Sequence, residues 1–370
     1  MGTLVLVSFV AGLAALIVGA DVLVRGSTRL AIAVGVSPLV IGLTVIAWGT
    51  GSPELAVGLG AALNGQPDLT IGNVIGSNIA NVLLVAGLAA AVAPLRVSDR
   101  LVRIDVQIMI AVSIVTWLLA LDGTLGHFDG ILLFGGIVAY TVVSIYMSRK
   151  SRSALLREYD GELSLGVPWR KKLAYCGYIA AGLGLLTLGA RWLVDGASEI
   201  AQVLGVSELI IGLTIVAIGT SLPEVATSAV ASYRGERDIA VGNVIGSNIF
   251  NILAVLGATA IIAPGGIRVS PSAIGFDMPV MILVAIACLP VFFSGKLIDR
   301  WEGFLFLGCY VGYLAYLVLQ ATSHDNAEGF NSVMVLFVLP LVAVTLVVIT
   351  TRALRERRAS IREDRQGGGE

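Results

Sequence analysis

Long apolar runs separated by short polar breaks set the pattern of this chain. They fall near 4–24, 38–62, 70–93, 104–121, 128–148, 173–194, 207–232, 239–263, 277–295, 301–320 and 331–351. A run of about twenty apolar residues matches the hydrocarbon thickness of a bilayer, so each is expected to be a membrane-spanning helix. The alternating pattern of barrel strands does not occur. The expected fold is therefore an all-α polytopic membrane protein.

The pattern also repeats itself. Gly72-Asn73-Val74-Ile75-Gly76-Ser77-Asn78-Ile79 recurs letter for letter as Gly242-Asn243-Val244-Ile245-Gly246-Ser247-Asn248-Ile249. Ile41-Gly42-Leu43-Thr44 recurs as Ile211-Gly212-Leu213-Thr214, and Gly49-Thr50 with Pro53-Glu54 recurs as Gly219-Thr220 with Pro223-Glu224. Every match stands 170 residues from its partner, so the chain is a duplicated unit. Five spans per unit is an odd number. The second copy must then enter the membrane from the opposite face, inverted about an axis in the membrane plane. The expected organisation is a first five-helix repeat over 1–148, with its polar motif in 38–93, and a charged cytoplasmic linker over 149–172. A second, inverted five-helix repeat follows over 173–320, with its motif in 207–263, and 321–370 adds one extra transmembrane helix and a basic tail.

Composition supports the membrane class: 56% hydrophobic and 13% charged residues with a mean hydropathy of +0.91 fall outside the soluble globular range. The net charge of −1 carries little, but its distribution carries more. With the N-terminus outside, 22 of the 24 Lys and Arg fall in inside segments. They run from Arg25 and Arg29 through Arg96, Arg100 and Arg103 to the linker, Arg234 and Arg237, Lys296 and Arg300, and the tail. Only Arg268 falls in an outside loop, and Arg191 near the outer end of its span. This asymmetry predicts a C-terminus in the cytoplasm. Cys176, Cys288 and Cys309 all lie in apolar spans, where no disulfide framework is expected. The first run begins too close to Met1, without a basic leader, to read as a signal peptide.

Chemistry concentrates in the repeated motifs. Pro53 has no N–H, and glycines at 49 and 51 weaken the same turn, so the helix is expected to break around Thr50 and free backbone carbonyls at membrane depth. Glu54 follows Thr50 by four residues, on the same face. Thr220, Ser221, Pro223 and Glu224 rebuild this set in the second repeat. Asn73, Ser77 and Asn81 stand four apart on one face of the next span, echoed by Asn243, Ser247 and Asn251. Asn78 and Asn248 are expected to point about 100° away from it. A proline kink with glycines serves plain helix packing equally well, and serines and asparagines serve as interhelical glue. Two glutamates at equivalent membrane depths are harder to explain structurally, because each costs about 2.5 kcal/mol or more. An all-oxygen set without Cys or His suits sodium, calcium or magnesium and not zinc, copper or iron, and magnesium is the less attractive because it dehydrates reluctantly. His127 and His324 fall in outside loops. Asp21, Asp105, Asp195, Glu199 and Asp277 fall at membrane edges, where solvated or gate-lining roles are expected.

G-T-G-S-P-E at 49–54 with G-N-V-I-G-S-N-I-A-N at 72–81, paired with G-T-S-L-P-E at 219–224 and G-N-V-I-G-S-N-I-F-N at 242–251, resembles the two alpha-repeats of the sodium/calcium exchanger family. The resemblance covers the ten-helix core. It implies a calcium site on Glu54, Glu224, Thr50 and Thr220. It further implies sodium sites using Ser77, Ser221 and Ser247 with carbonyls at Ala47 and Ala217, and Asn81 and Asn251 lining the middle, with Asn73 and Asn243 on the pathway. Gly51 departs from it where relatives often carry Ser, and Asn251 departs from potassium-dependent relatives that carry Asp. The proton-coupled branch typically has a further Glu after the G-N pair, where this chain reads Val-Ile-Gly-Ser. The expected function is calcium-for-sodium antiport by alternating access, independent of potassium, in a prokaryotic inner membrane. A calcium/proton antiporter is the alternative and a cation channel a more distant one. No enzyme motif, cofactor or nucleic-acid partner is expected; the partners are calcium, sodium and the lipid bilayer.

Overall fold

The computed structural model describes residues 3–150 and 167–322, apart from 207, 212, 213, 216 and 294–296, together with 340, 347 and 351. Nearly all of the expected eleventh span, the basic tail and most of the charged linker lie outside the described residues. The helices are α1 (Thr3–Val34), α2 (Pro38–Thr50), α3 (Ser52–Leu63), α4 (Pro67–Val92), α5 (Leu101–Asp122) and α6 (His127–Lys150). They continue as α7 (Trp169–Val203), α8 (Glu208–Ile211), α9 (Ala217–Gly219), α10 (Leu222–Tyr233), α11 (Arg237–Ile262), α12 (Met278–Phe293) and α13 (Arg300–Thr322). Among the described residues, seven are long and apolar enough to cross a membrane, and α2 with α3, bent by 44°, make an eighth. The protein is an all-α polytopic membrane protein.

Helices α1 and α7 run to 32 and 35 residues, about ten beyond the apolar runs that predict them. Hydropathy falls at Asp21, Arg25 and Arg29, but nothing there breaks a helix. What ends these helices is Gly35 and Gly205, at φ +70° and +80°. The Val36 N–H bonds the Ala31 carbonyl at 3.0 Å and the Val206 N–H bonds the Ala201 carbonyl at 3.0 Å. This is the left-handed C-terminal cap that glycine adopts without Cβ strain. Gly65 and Gly235 end α3 and α10 in the same way. All four caps obey the 170-residue offset.

Backbone contact between helices is made by glycine. A Cβ on Gly19 would lie 2.9 Å from the Gly182 carbonyl oxygen, and one on Gly189 would lie 2.8 Å from that of Gly12, so α1 and α7 meet antiparallel along a seven-residue glycine register. Gly87 of α4 meets Gly303 of α13, and Gly257 of α11 meets Gly130 of α6, at 3.1 and 3.2 Å by the same measure. Two short antiparallel clasps tie the halves at opposite ends: β1 (Leu95–Arg96) with β4 (Leu297–Ile298), and β2 (Thr124–Leu125) with β3 (Ile267–Arg268). One end of the bundle, the basic end, carries Arg25, Arg100 and Arg234.

Candidate ion-binding site

The breaks in the two motif helices are alike in backbone. Gly51 sits at φ −79°, ψ 1° and Ser221 at φ −86°, ψ 1°, and each is followed by a helix whose first turn holds the proline. Proline suits that turn because its missing N–H has no helical partner there anyway. Glu54 and Glu224 stand in those first turns, each only 1% exposed. They belong to motifs that touch one another, although 170 residues separate them in sequence. Among the described residues neither has a basic partner within ion-pair distance.

Asparagines on the neighbouring helices clamp these breaks. Asn73 Nδ2 donates to the backbone carbonyl of Glu54 at 3.2 Å, and Asn243 Nδ2 to that of Glu224 at 3.4 Å and to Ser228 Oγ at 3.0 Å. The two motifs also cross over. The Thr50 hydroxyl reaches its own helix at the Ile46 carbonyl, 3.1 Å, or Asn243 Oδ1, 3.3 Å, and lies beside the Glu224 carboxylate. Asn251 Nδ2 donates to Asn78 Oδ1 at 3.2 Å. Asn78, expected to face away from the polar set, meets it instead. The opposite repeat brings α11 to that side, a relation helix periodicity alone does not contain. Asn248 does turn back, donating to the Val244 carbonyl of its own helix at 2.8 Å.

Buried oxygens without a hydrogen-bond partner gather on the same motifs: Glu54 Oε1 and Oε2, Glu224 Oε2, Asn81 Oδ1, Asn251 Oδ1, Ser221 Oγ and Ser247 Oγ. An unpaired buried acceptor costs about 1–3 kcal/mol, more when charged, so such atoms call for an electropositive partner. Hard carboxylate, amide and hydroxyl oxygens fit sodium or calcium. Ser77 is buried on α4 and Thr220 half-buried after α9. Asn81 and Asn251 each open a π-helical turn, over Asn81–Val85 and Asn251–Leu256. Such turns re-aim side chains and recur at functional sites. Ala47 lies in the last turn of α2, its carbonyl accepting the Gly51 N–H at 3.0 Å, and Ala217 opens α9.

The halves differ in access. Gly242 and Asn243 of α11 are buried, and a Cβ on Gly242 would lie 2.8 Å from the Leu39 carbonyl oxygen. Their counterparts on α4 are open: Gly72 is exposed and Asn73 half-buried. The motif backbone is thus closely packed at Gly242 and Asn243 and open at Gly72 and Asn73.

Asp105 departs from expectation. It is fully buried at the basic end of α5, accepting the Tyr140 hydroxyl at 3.0 Å with Arg100 at 3.9 Å, so it braces α5 against α6 rather than facing solvent. His127 touches the Ala260 carbonyl at 2.9 Å and joins α6 to α11.

The family profile described as sodium/calcium exchanger protein matches residues 4–146 and 174–319. The putative antiporter CaxA of Alkalimonas amylolytica is 42% identical over 70% of this chain and 82% of its own length. Sodium/calcium exchanger MaX1 of Methanosarcina acetivorans is 30% identical over 83% and 96%. Structures of the sodium-calcium exchanger NCX_Mj superpose on it, one at a TM-score of 0.73 and 32% identity, covering 86% of this chain and all of that one.

Proposed function

This chain belongs to the sodium/calcium exchanger family and is a cation/calcium antiporter of the membrane, and from that premise we propose that it exchanges calcium for sodium by alternating access, without potassium. The observation that carries this reading is the pair of fully buried carboxylates, Glu54 and Glu224, carried on motifs that meet through Thr50 and Asn243 and set among neutral oxygens that lack partners. Ionised, they give the site a charge of −2. Moving that charge through a closed intermediate is prohibitively costly unless cations neutralise it. One calcium does so, and so do two sodium ions. Only loaded sites then cross, and loading by either cation couples the two fluxes.

Glu54, Glu224, Thr50 and Thr220 hold calcium in this reading. Ser77, Ser221, Ser247 and the carbonyls of Ala47 and Ala217 serve sodium. Asn81 and Asn251 line the middle, and Asn73 and Asn243 fix the glutamate backbones. The basic end faces the cytoplasm, the N-terminus lies outside, and the open face at Gly72 is the external entry. The repeats over 1–148 and 173–320, joined by the linker 149–172, exchange roles when the opposite face opens. The glycine-welded pair α1–α7 moves as one body against the core.

The deciding experiment is calcium-45 uptake into proteoliposomes under sodium, potassium and proton gradients in turn. Sodium-driven uptake is expected. Uptake driven by protons and indifferent to sodium would replace this reading with calcium/proton antiport, and dissipative uptake without any gradient would indicate a channel.

A further inference from the structure

The proposed sodium and calcium site, on which this inference rests, differs between its halves at two positions related by the 170-residue offset. Ser221 and Gly51 share a backbone conformation, but Ser221 presents a buried, unpartnered hydroxyl and Gly51 presents none. A second difference faces the first: Phe250 of α11 stands where α4 has Ala80. The two are one feature. A Cβ on Gly51 would lie 2.7 and 2.8 Å from Cδ1 and Cε1 of Phe250, and 2.9 Å from the Ala47 carbonyl oxygen. The ring is buried and held by Trp48, centroids 5.2 Å apart, and the counterpart of Trp48 is Ile218. The hydrogen bond closing the preceding turn differs: the Gly51 N–H bonds the Ala47 carbonyl, whereas the Ser221 N–H bonds that of Ile218, both at 3.0 Å. One half therefore offers a free hydroxyl. The other offers a phenyl ring and a carbonyl that already accepts a hydrogen bond.

Under the site proposed above, one cation position lies between the carboxylates and one flanks them in each half, built from neutral oxygens. We infer that Phe250 closes the flanking position beside Gly51, the one to which the Ala47 carbonyl was assigned above, so that this carbonyl takes no sodium and two sodium ions, not three, exchange for one calcium. A sodium ion set against ring carbons would lose water oxygens and gain nothing equivalent. Two sodium ions carry the same charge as one calcium, so exchange moves no net charge across the membrane.

The test is sodium-driven calcium-45 flux in proteoliposomes at zero potential and at about 100 mV, set with potassium and valinomycin. That potential would shift the calcium accumulation of a one-charge exchanger about fifty-fold. The unmodified protein should show no shift and a sodium Hill coefficient no higher than about two. Gly51→Ser with Phe250→Ala rebuilds the Ser221/Ala80 pair and should make accumulation potential-dependent with a steeper sodium response. Phe250→Ala alone makes room without adding an oxygen and should stay potential-independent. Potential-dependent accumulation by the unmodified protein, with sodium drive intact, would overturn this inference alone, and that arm decides even if the double variant does not fold. A folded double variant that stays potential-independent would also overturn it. Absence of sodium-driven flux in the unmodified protein would overturn the sodium reading as well.

Discussion

Asp21 of α1 pairs with Arg234 at the end of α10, and Arg25 of its own helix flanks it at 3.0 Å, so one carboxylate ties the long outer helix to the core at the basic end. The offset-related residues are Arg191 and Asn64, which cannot reproduce this pair at the opposite end. The tie therefore acts at one end only.

Asp21→Asn or Arg234→Gln should favour the form open at the basic end. A half-exposed pair contributes up to about 1 kcal/mol, roughly a fivefold change in the ratio of forms. Ile239 is fully buried behind α2 and can report it as Ile239→Cys, with the three native cysteines replaced. Labelling by an impermeant maleimide from the basic side should accelerate several-fold. Equal rates with and without the pair would show that it does not hold the gate.

Glu54→Gln and Glu224→Gln should each abolish calcium transport without unfolding the protein, because each removes a buried charge that has no basic partner among the described residues. In detergent, the melting temperature without calcium should be unchanged or higher. The stabilisation by saturating calcium, about 2.7 kcal/mol at a hundredfold excess over Kd, should disappear. Near-normal uptake by either variant would sink the site assignment.

Gly19→Val should separate the α1–α7 pair, since its Cβ would meet the Gly182 carbonyl oxygen at 2.9 Å. Overpacking of this kind costs about 1–3 kcal/mol, read as a lowered melting temperature together with slowed exchange. Gly184→Val, on the same pair of helices but with nothing described within 4 Å of its Cβ, is the control and should behave as the unmodified protein.

Asn251→Asp should make exchange sensitive to potassium, because it takes the site from −2 to −3 and leaves room for an extra monovalent cation. The new carboxylate would also face Asn78 Oδ1, now the acceptor of the Asn251 amide, so the Asn78 amide must turn over. Replacing potassium by choline on both sides checks this: the unmodified protein should keep its flux and the variant should lose part of it. Loss of flux in the unmodified protein would refute potassium independence.

The duplication makes the polar motifs legible, since Glu54, Asn73 and their copies stand out twice at a fixed spacing. The break expected near Thr50 from Pro53 falls one residue on, at Gly51. What escapes depends on contacts between repeats. Nothing local to Phe250 says that it fills the space over Gly51, and nothing local to Asn78 says that Asn251 reaches it. Asp105 reads as solvated or gate-lining because hydropathy locates a residue along a helix but does not say which neighbour covers it. The glycines at 12, 19 and 26, with 182, 189 and 196, are a signal the sequence does carry, seven residues apart on both helices. Hydropathy gives them no weight, so the close approach of α1 and α7 becomes plain only in three dimensions.

Thr70 Oγ1 donates to the Gly58 carbonyl at 3.2 Å, and Ser228 Oγ to the Ala240 carbonyl at 3.4 Å. Position 70 corresponds to 240 and position 58 to 228, so the two halves join the same pair of sites with the hydroxyl on opposite helices. Segments of the halves are consequently not interchangeable one at a time. A chimera taking residues 222–233 in place of 52–63 would bring two hydroxyls to one junction, and the reciprocal graft would bring none. Ancestry by duplication gave two copies of a contact, and subsequent drift made each copy compatible only with its own partner.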